Sequence, residues 1–193
     1  FIKDIKTNYL ILPNIKEIDF EVNLKEFNNS SNVIFIISFN KYLKSYFLKP
    51  ITNISDKIYM FYKLFNDVEM GLNTIISLGE FLISILKGID DSLKIQVLNK
   101  SKIIHEFSFK SSQKLVRIGR SRINEISIQS NSFSKTQCNI YYNEELKKWY
   151  VQDGHDNIRS KNGTWVYLNR EMEILDDIFI KIQDHFFAIH ICK

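Results

Sequence analysis

Three polar segments in the second half of the chain carry side chains that could bind a phosphate group. Arg120 directly follows an apolar stretch, Ser134 and Lys135 lie in a polar stretch about fourteen residues further on, and Asn162-Gly163 marks a tight turn. An Arg guanidinium is a fixed fork of donors that fits phosphate oxygens, a Ser hydroxyl donates one hydrogen bond, and Lys is a compact cation. These residue types together favour recognition of a phosphorylated ligand.

Short stretches that alternate apolar and polar residues surround these segments. They include 115–118, 125–129, 148–152 and 177–182. Alternation with period two is typical of half-buried strands, and turn residues separate these stretches at intervals of about eight to twelve residues. That spacing indicates a β-sandwich or barrel. The sequence therefore predicts an all-β fold in which the polar segments connect strands.

The order and spacing of the three segments resemble the forkhead-associated (FHA) family. The family pattern is Gly-Arg, then Ser-Arg/Lys-x-His, then Asp, and finally Ser-x-Asn-Gly-Thr before a strand. It corresponds here to 119–120, 134–137, Asp153 and 160–164. The resemblance covers roughly residues 93–192. It implies a β-sandwich of about eleven strands whose loops at one end hold a phosphothreonine peptide.

The resemblance gives five residues a role in phosphopeptide binding. Arg120, Ser134 and Lys135 are expected to contact the phosphate, and Lys161 stands where family members often place a further phosphate contact. Asn162 resembles the family residue that bonds the peptide backbone beside the phosphothreonine. A side-chain amide suits that task because it both donates and accepts hydrogen bonds.

Four further residues are expected to shape the loops: Gly119, Gln137, Gly163 and Thr164. The glycines permit a positive φ or a close backbone approach. Gln137 departs from the family pattern, because it stands where a His usually braces the binding loops. A Gln can form local hydrogen bonds but lacks the rigidity of a ring. This departure predicts weaker phosphopeptide binding and leaves the predicted fold unchanged.

Positive charge is concentrated in the second half. Residues 1–90 contain ten Lys, no Arg and ten Asp plus Glu, whereas residues 91–193 contain sixteen Lys plus Arg and twelve Asp plus Glu. The net charge of +4 thus belongs to the second half, which also has all the arginines. A charge of this size is weak support for nucleic-acid binding. The partner we expect is a phosphothreonine-containing protein.

The first half repeats part of the second at an offset of about 103 residues, with 40–48 lying over 143–151. We therefore predict a degenerate FHA-like domain at 1–88 and an FHA domain at 91–193, with the boundary at 87–91. The first half lacks Arg and cannot make the forked phosphate contact. We expect it to pack against the second half or to bind protein. An unrelated small β or α+β domain is the alternative.

Sequence patterns for catalysis are absent. The four His residues are dispersed, there is no phosphate-binding Gly-rich loop, and neither metal spacing nor a nucleophile motif occurs. The prediction is a binding adaptor that is not an enzyme and needs no cofactor or metal. Two alternatives are a phosphate-independent structural or oligomerisation module, which Gln137 favours, and a nucleic-acid binder with steep salt dependence.

Cys138 and Cys192 lie in apolar runs and have no CxxC spacing. Reduced core thiols in an intracellular protein, nuclear or cytoplasmic, are the expected state. No apolar run reaches the roughly 18 residues of a membrane-spanning helix.

Overall fold

The computed structural model describes residues 7–12, 20–23, 33–51, 59–71, 73–87, 91–175, 177–182 and 185–191. Within these ranges the regular structure is β throughout, apart from one 3-10 turn at Ser111–Gln113, so the predicted all-β class is confirmed. The strands are β1 (Thr7–Leu12), β2 (Phe20–Asn23), β3 (Val33–Asn40), β4 (Ser45–Pro50), β5 (Met60–Lys63), β6 (Val68–Glu69), β7 (Thr74–Leu78), β8 (Phe81–Lys87), β9 (Leu93–Asn99), β10 (Lys102–Phe109), β11 (Leu115–Gly119), β12 (Ile126–Ser127), β13 (Cys138–Asn143), β14 (Lys148–Asp153), β15 (Trp165–Tyr167), β16 (Met172–Ile174), β17 (Ile178–Ile182) and β18 (His185–Ile191).

The chain forms two compact units that are not halves of the sequence. The first consists of residues 1–62 and 168–193, and the second of residues 63–167. The domains predicted at 1–88 and 91–193 do not coincide with these units. The difference arises because β8 and β9, on either side of the predicted boundary, pair antiparallel along their whole length within the second unit. Residues 88–90 themselves lie outside the described part of the chain.

The second unit contains two sets of paired strands. One sheet has the order β12-β11-β13-β14-β6, and the other set has the order β15-β7-β8-β9-β10. Both bury one apolar face, as the alternating sequence predicts: Leu93, Ile95 and Val97 are buried in β9, and Val116 and Ile118 in β11. Each buried branched side chain contributes roughly 1.5–3 kcal/mol of hydrophobic stabilisation.

Strand pairing in the second unit brings several strand ends together. Ile118 near the end of β11 pairs with Cys138 at the start of β13, and Cys138 pairs with Asp153 at the end of β14. Trp165 at the start of β15 pairs with Ser77 near the end of β7. Because antiparallel partners run in opposite directions, the connections after β11, β14 and β7 leave the strands at one end. The predicted polar segments occupy two of these connections.

The first unit has a sheet of order β16-β4-β3-β2 and a set of order β1-β18-β17-β5. Its core includes the edge-to-face pair Phe35 and Phe187, whose ring centres are 5.8 Å apart. Twelve buried residues form this core: Phe35, Ile37, Tyr46, Leu48, Met60, Leu168, Ile174, Ile178, Ile180, Ile182, Phe187 and Ile189. Residues from both ends of the sequence therefore build one core.

One hairpin geometry occurs at both aligned positions of the two halves. The β3–β4 and β13–β14 hairpins each have a four-residue turn, since Asn40 pairs with Ser45 and Asn143 with Lys148. In each, the Asn side-chain oxygen accepts the N–H of the third residue after it, at 3.1 Å in the first and 2.9 Å in the second. Lys44 and Lys147 end these turns with φ of 53° and 52°.

The strands that follow each hairpin in sequence include some that pair with strands from the other half of the sequence. In the first unit, β17 pairs with β5 and β16 pairs with β4. In the second unit, β7 pairs with β15 and β6 pairs with β14. Each unit thus has its hairpin from one half of the sequence and its completing strands from the other half.

Candidate functional site

Backbone hydrogen bonds hold the Arg120 and Ser134 segments side by side. Arg120 N–H donates to Ser134 O at 3.0 Å, Ser121 N–H donates to Lys135 O at 3.0 Å, and Gln137 N–H donates to Ile118 O at 2.7 Å. These bonds extend the β11–β13 pairing beyond the strand ends. Two segments that are well separated in sequence are therefore neighbours at the end of the sheet.

Gly119 permits this close approach. A Cβ at this position would collide with the backbone oxygen of Lys135 and lie 2.8 Å from the Cα of Thr136. The Asn124 amide also donates to Lys135 O at 2.6 Å, on the same side. A side chain at Gly119 would force the two segments apart. Its predicted loop-shaping role agrees with this packing.

Ser134 also meets the third predicted segment. Lys161 N–H donates to Ser134 Oγ at 2.9 Å, and Asn162 Nδ2 donates to Ser132 O at 2.7 Å. The first bond uses a lone pair of the Ser134 hydroxyl, so its proton remains available for an acceptor on a ligand. The backbone and side-chain contacts place all five predicted binding residues on adjoining loops.

Gln137 connects these loops through its buried side chain. Its side chain is buried, with the residue 1% exposed. Oε1 accepts the N–H of Ser134 at 3.0 Å, and Nε2 donates to Ser160 Oγ at 2.7 Å and to Gly163 O at 2.9 Å. These three hydrogen bonds connect Gln137 to the Ser134, Ser160 and Gly163 segments at once.

Gly163 and Thr164 shape the turn that presents Asn162. Gly163 has a φ of 74°, a conformation that favours glycine. Thr164 is fully buried, and its hydroxyl donates to Asp153 Oδ1 at 2.6 Å. Trp165 Nε1 donates to Asn162 O at 3.1 Å. The turn is therefore held on both sides of the Asn-Gly pair.

The segments that meet at Ser134 have three exposed cations. Arg120, Lys135 and Lys161 have exposed side chains, as does Asn162. No ion pair within the described ranges of the chain involves these three cations. They create a positive field at the loop end of the second unit, which favours an anionic ligand.

The other arginines of this unit have different tasks. Arg117 forms a bidentate ion pair with Glu125, in which Nη2 is 2.8 Å from Oε1 and Nε is 3.1 Å from Oε2. Its hydrogen bond lowers the pKa of the Glu125 carboxyl to about 2. Arg159 lies over the Phe65 ring at 5.0 Å and donates to Phe65 O at 3.1 Å. Arg122 is exposed.

Comparison with known protein families agrees with this geometry. Residues 116–178 match the family described as FHA domain. The chain contains an FHA domain. FHA domains are in general non-catalytic modules that bind phosphorylated proteins. Neither a curated protein nor a solved structure matches the chain.

The FHA match begins in β11 and ends at the first residue of β17. Its part from residue 168 onward belongs to the first unit, and the remainder belongs to the second. The matched segment includes every predicted binding residue. The strands β6 to β8, which complete the second unit, lie outside the match.

Two features that contact these loops were not among the predicted site residues. Asp153 accepts hydrogen bonds from the Ser160 hydroxyl at 2.6 Å and from the Ser160 N–H at 3.2 Å, besides that of Thr164. Its place in the family pattern was the available signal. The second feature is the Gly79-Glu80 turn between β7 and β8, which lies far outside the motif and gave no signal.

The described part of the FHA domain shows no metal centre. Within the described ranges, no group of three or more His, Cys, Asp or Glu side chains could hold a metal ion.

Cys138 is a buried free thiol whose pKa is raised by burial and by the nearby Asp153. Cys192 lies outside the described residues, as do Pro13-Asn14 and Ser31-Asn32, the first-half positions aligned with the binding segments. None of the helices within the described ranges is long and apolar enough to cross a membrane.

Proposed function

We propose that the FHA domain binds a phosphothreonine-containing protein and acts as an adaptor without catalysing a reaction. The observation that carries this proposal is that the Arg120 and Lys161 segments both bond to Ser134. Ser134 O accepts the Arg120 N–H, and Ser134 Oγ accepts the Lys161 N–H. Arg120, Lys135 and Lys161 thereby have exposed charged side chains on adjoining loops.

A phosphothreonine fits this arrangement. It has about −1.5 to −2 charges at pH 7 and three acceptor oxygens. The Arg120 guanidinium can bind two of the oxygens as a fork, and the Ser134 hydroxyl can donate to one. Lys135 and Lys161 then supply further positive charge. Charge-assisted hydrogen bonds of this kind are the strong ones among protein contacts.

Asn162 supports recognition of a peptide in addition to the phosphate. Its Nδ2 donates to Ser132 O, which fixes the side chain at the rim of the loops. The amide oxygen and the second amide hydrogen remain for a ligand. Together they match the donor and acceptor of a peptide backbone unit, which suits a phosphorylated chain better than a free phosphate ion.

The phosphate-independent alternative loses its main support. It was favoured by Gln137 in place of the usual His, yet this Gln bonds Ser134, Ser160 and Gly163 at once. One buried side-chain amide therefore connects these loops.

For the compartment we propose the nucleus or cytoplasm, because Cys138 is a free buried thiol and reducing compartments keep thiols in that state.

Fluorescence anisotropy with three versions of a degenerate peptide library tests the function: phosphothreonine, phosphoserine and unphosphorylated threonine. Wild type is expected to bind the phosphothreonine library saturably. Arg120→Ala removes a charge-assisted contact of about 1.5–3 kcal/mol, so the affinity should fall roughly ten- to a hundred-fold.

Arg122→Ala is the matched control, because Arg122 is an exposed arginine two positions away. It should retain most of the wild-type affinity. Equal binding of all three libraries, or equal losses in both variants, would contradict a phosphothreonine site at Arg120. The nucleic-acid alternative would be favoured if the chain bound nucleic acid with an affinity that falls steeply with salt and did not bind the phosphopeptides.

A further inference from the structure

The turn between β7 and β8, with the first residue of β8, contacts the loop at residues 128–137 that connects β12 to β13, here called the Ser134 loop. A Cβ at Gly79 would lie 2.6 Å from Ser132 Oγ. Ser130 Oγ donates to Glu80 Oε1 at 3.4 Å. Phe81 meets Phe133 with ring centres 5.5 Å apart. This turn belongs to the second unit, and it lies against the loop that supplies the Ser134 hydroxyl.

These contacts connect Glu80 to the peptide-binding rim in a short chain. Ser130 Oγ and Ser132 Oγ are 2.8 Å apart, and Ser132 O accepts the Asn162 amide at 2.7 Å. Glu80 is exposed, and no ion pair within the described ranges includes it. Its carboxylate is a negative charge at the edge of a positive site.

Two other acidic side chains near these loops, Glu125 and Asp153, are already engaged. Glu125 is paired with Arg117 at 2.8 Å. Asp153 accepts three hydrogen bonds from Ser160 and Thr164. Glu80 is exposed and has one long hydrogen bond from a hydroxyl, so its charge is less compensated than those of Glu125 and Asp153.

We propose that Glu80 determines the charge selectivity of the FHA site by favouring a Lys or Arg beside the phosphothreonine and disfavouring an acidic neighbour. This inference rests on the proposed function and concerns the same site. The cations Arg120, Lys135 and Lys161 attract the phosphate, and by themselves they would also attract acidic flanking residues. Glu80 opposes that attraction at one edge of the site.

Two phosphothreonine peptides of equal length, one flanked by Lys and one by Glu, provide the test with the full chain. Kd values are measured for both by fluorescence anisotropy at low ionic strength. Wild type should prefer the Lys-flanked peptide. The selectivity is the Kd of the Glu-flanked peptide divided by the Kd of the Lys-flanked peptide. Glu80→Gln should lower this ratio about two- to five-fold, which is the size expected for an exposed ion pair. Glu80→Lys should lower it further.

Glu80→Gln separates charge from structure, because Gln retains the acceptor for the Ser130 hydroxyl. Glu145→Gln is the matched control. Glu145 is exposed on the β13–β14 turn, at the end of those strands opposite the site, about 20 Å away for strands of this length. It should leave the ratio unchanged, and the effect of Glu80→Gln should shrink as salt is added.

The outcomes separate the two proposals. If both peptides bind in an Arg120-dependent way and Glu80→Gln leaves their ratio unchanged, the selectivity of Glu80 is refuted while the phosphothreonine site stands. If Glu145→Gln shifts the ratio as much as Glu80→Gln, the effect is one of net charge and the inference fails. If wild type binds neither peptide, the proposed function fails and this inference with it.

Discussion

At the scale of single residues, the binding loops depend on buried polar side chains as much as on the exposed cations. Gln137 and Asp153 together hold Ser134, Ser160 and Thr164 by short hydrogen bonds. A buried polar group that loses its partner costs about 1–3 kcal/mol. Because these groups share partners, a change at one of them disturbs the others.

Gln137→Ala should lower both stability and phosphopeptide affinity. It leaves the Ser134 N–H, the Ser160 hydroxyl and the Gly163 carbonyl each without one partner. We expect the free energy of unfolding to fall by about 2 kcal/mol or more, measured by urea denaturation. Gln113→Ala, at an exposed position, is the control and should change it by no more than about 0.5 kcal/mol. Similar small losses in both variants would show that Gln137 is not a brace.

At the scale of the elements, the bidentate ion pair between Arg117 and Glu125 stabilises the short strand β12. Arg117 lies in β11, and Glu125 immediately precedes β12, which pairs with β11 through only two residue pairs. The Arg117 N–H and guanidinium both donate to the Glu125 carboxylate, at 2.8 Å for N and for Nη2. This carboxylate anchors the segment that begins after Arg120 and leads to the Ser134 loop.

The pair should make stability depend on pH in the acid range. The pKa of Glu125 in the folded chain is about 2, below its ordinary value of 4.5, because Arg117 stabilises the ionised form. Its contribution is therefore present above pH 4.5 and is lost as the pH falls toward 2. Glu125→Gln should cost about 2 kcal/mol at pH 7, and the difference from wild type should close on acidification.

Urea denaturation at several pH values between 7 and 2.5 measures this effect. Glu144→Gln is the control, because Glu144 pairs with Lys114 on the surface and both side chains are more than half exposed. Its stability profile should run parallel to that of wild type. A difference between wild type and Glu125→Gln that stays constant down to pH 2.5 would contradict the role assigned to the ionised carboxylate.

At the scale of the whole molecule, the two units have exchanged their completing strands. The second unit takes β6 to β8 from the first half of the sequence, and the first unit takes β16 to β18 from the second half. The hairpin turns at Asn40 and Asn143 have the same side-chain hydrogen bond in the two units. We propose that the functional FHA domain is residues 63–167.

Two fragments distinguish this arrangement from the domains read from sequence. The fragment 63–167 should unfold cooperatively and bind phosphopeptide as the full chain does, because it contains both sets of strands and all binding loops. The fragment 91–193 lacks β7 and β8, whose central residues Ile76 and Ile83 are fully buried, so it should fold poorly. Circular dichroism with urea and peptide anisotropy measure both. Cooperative folding and full affinity of 91–193 would favour the contiguous domains instead.

Local patterns in the sequence were enough to predict the all-β class, the FHA resemblance and the order of the binding segments. These follow from period-two alternation and from motifs such as Gly119-Arg120 and Asn162-Gly163, whose information is local. Three features became visible only in the folded chain: which strands complete each unit, the hydrogen bonds of Gln137 to three segments, and the contact of Glu80 with the Ser134 loop. Alternation specifies which face of a strand is buried without specifying its neighbour, and several of the neighbours here lie far apart in the sequence.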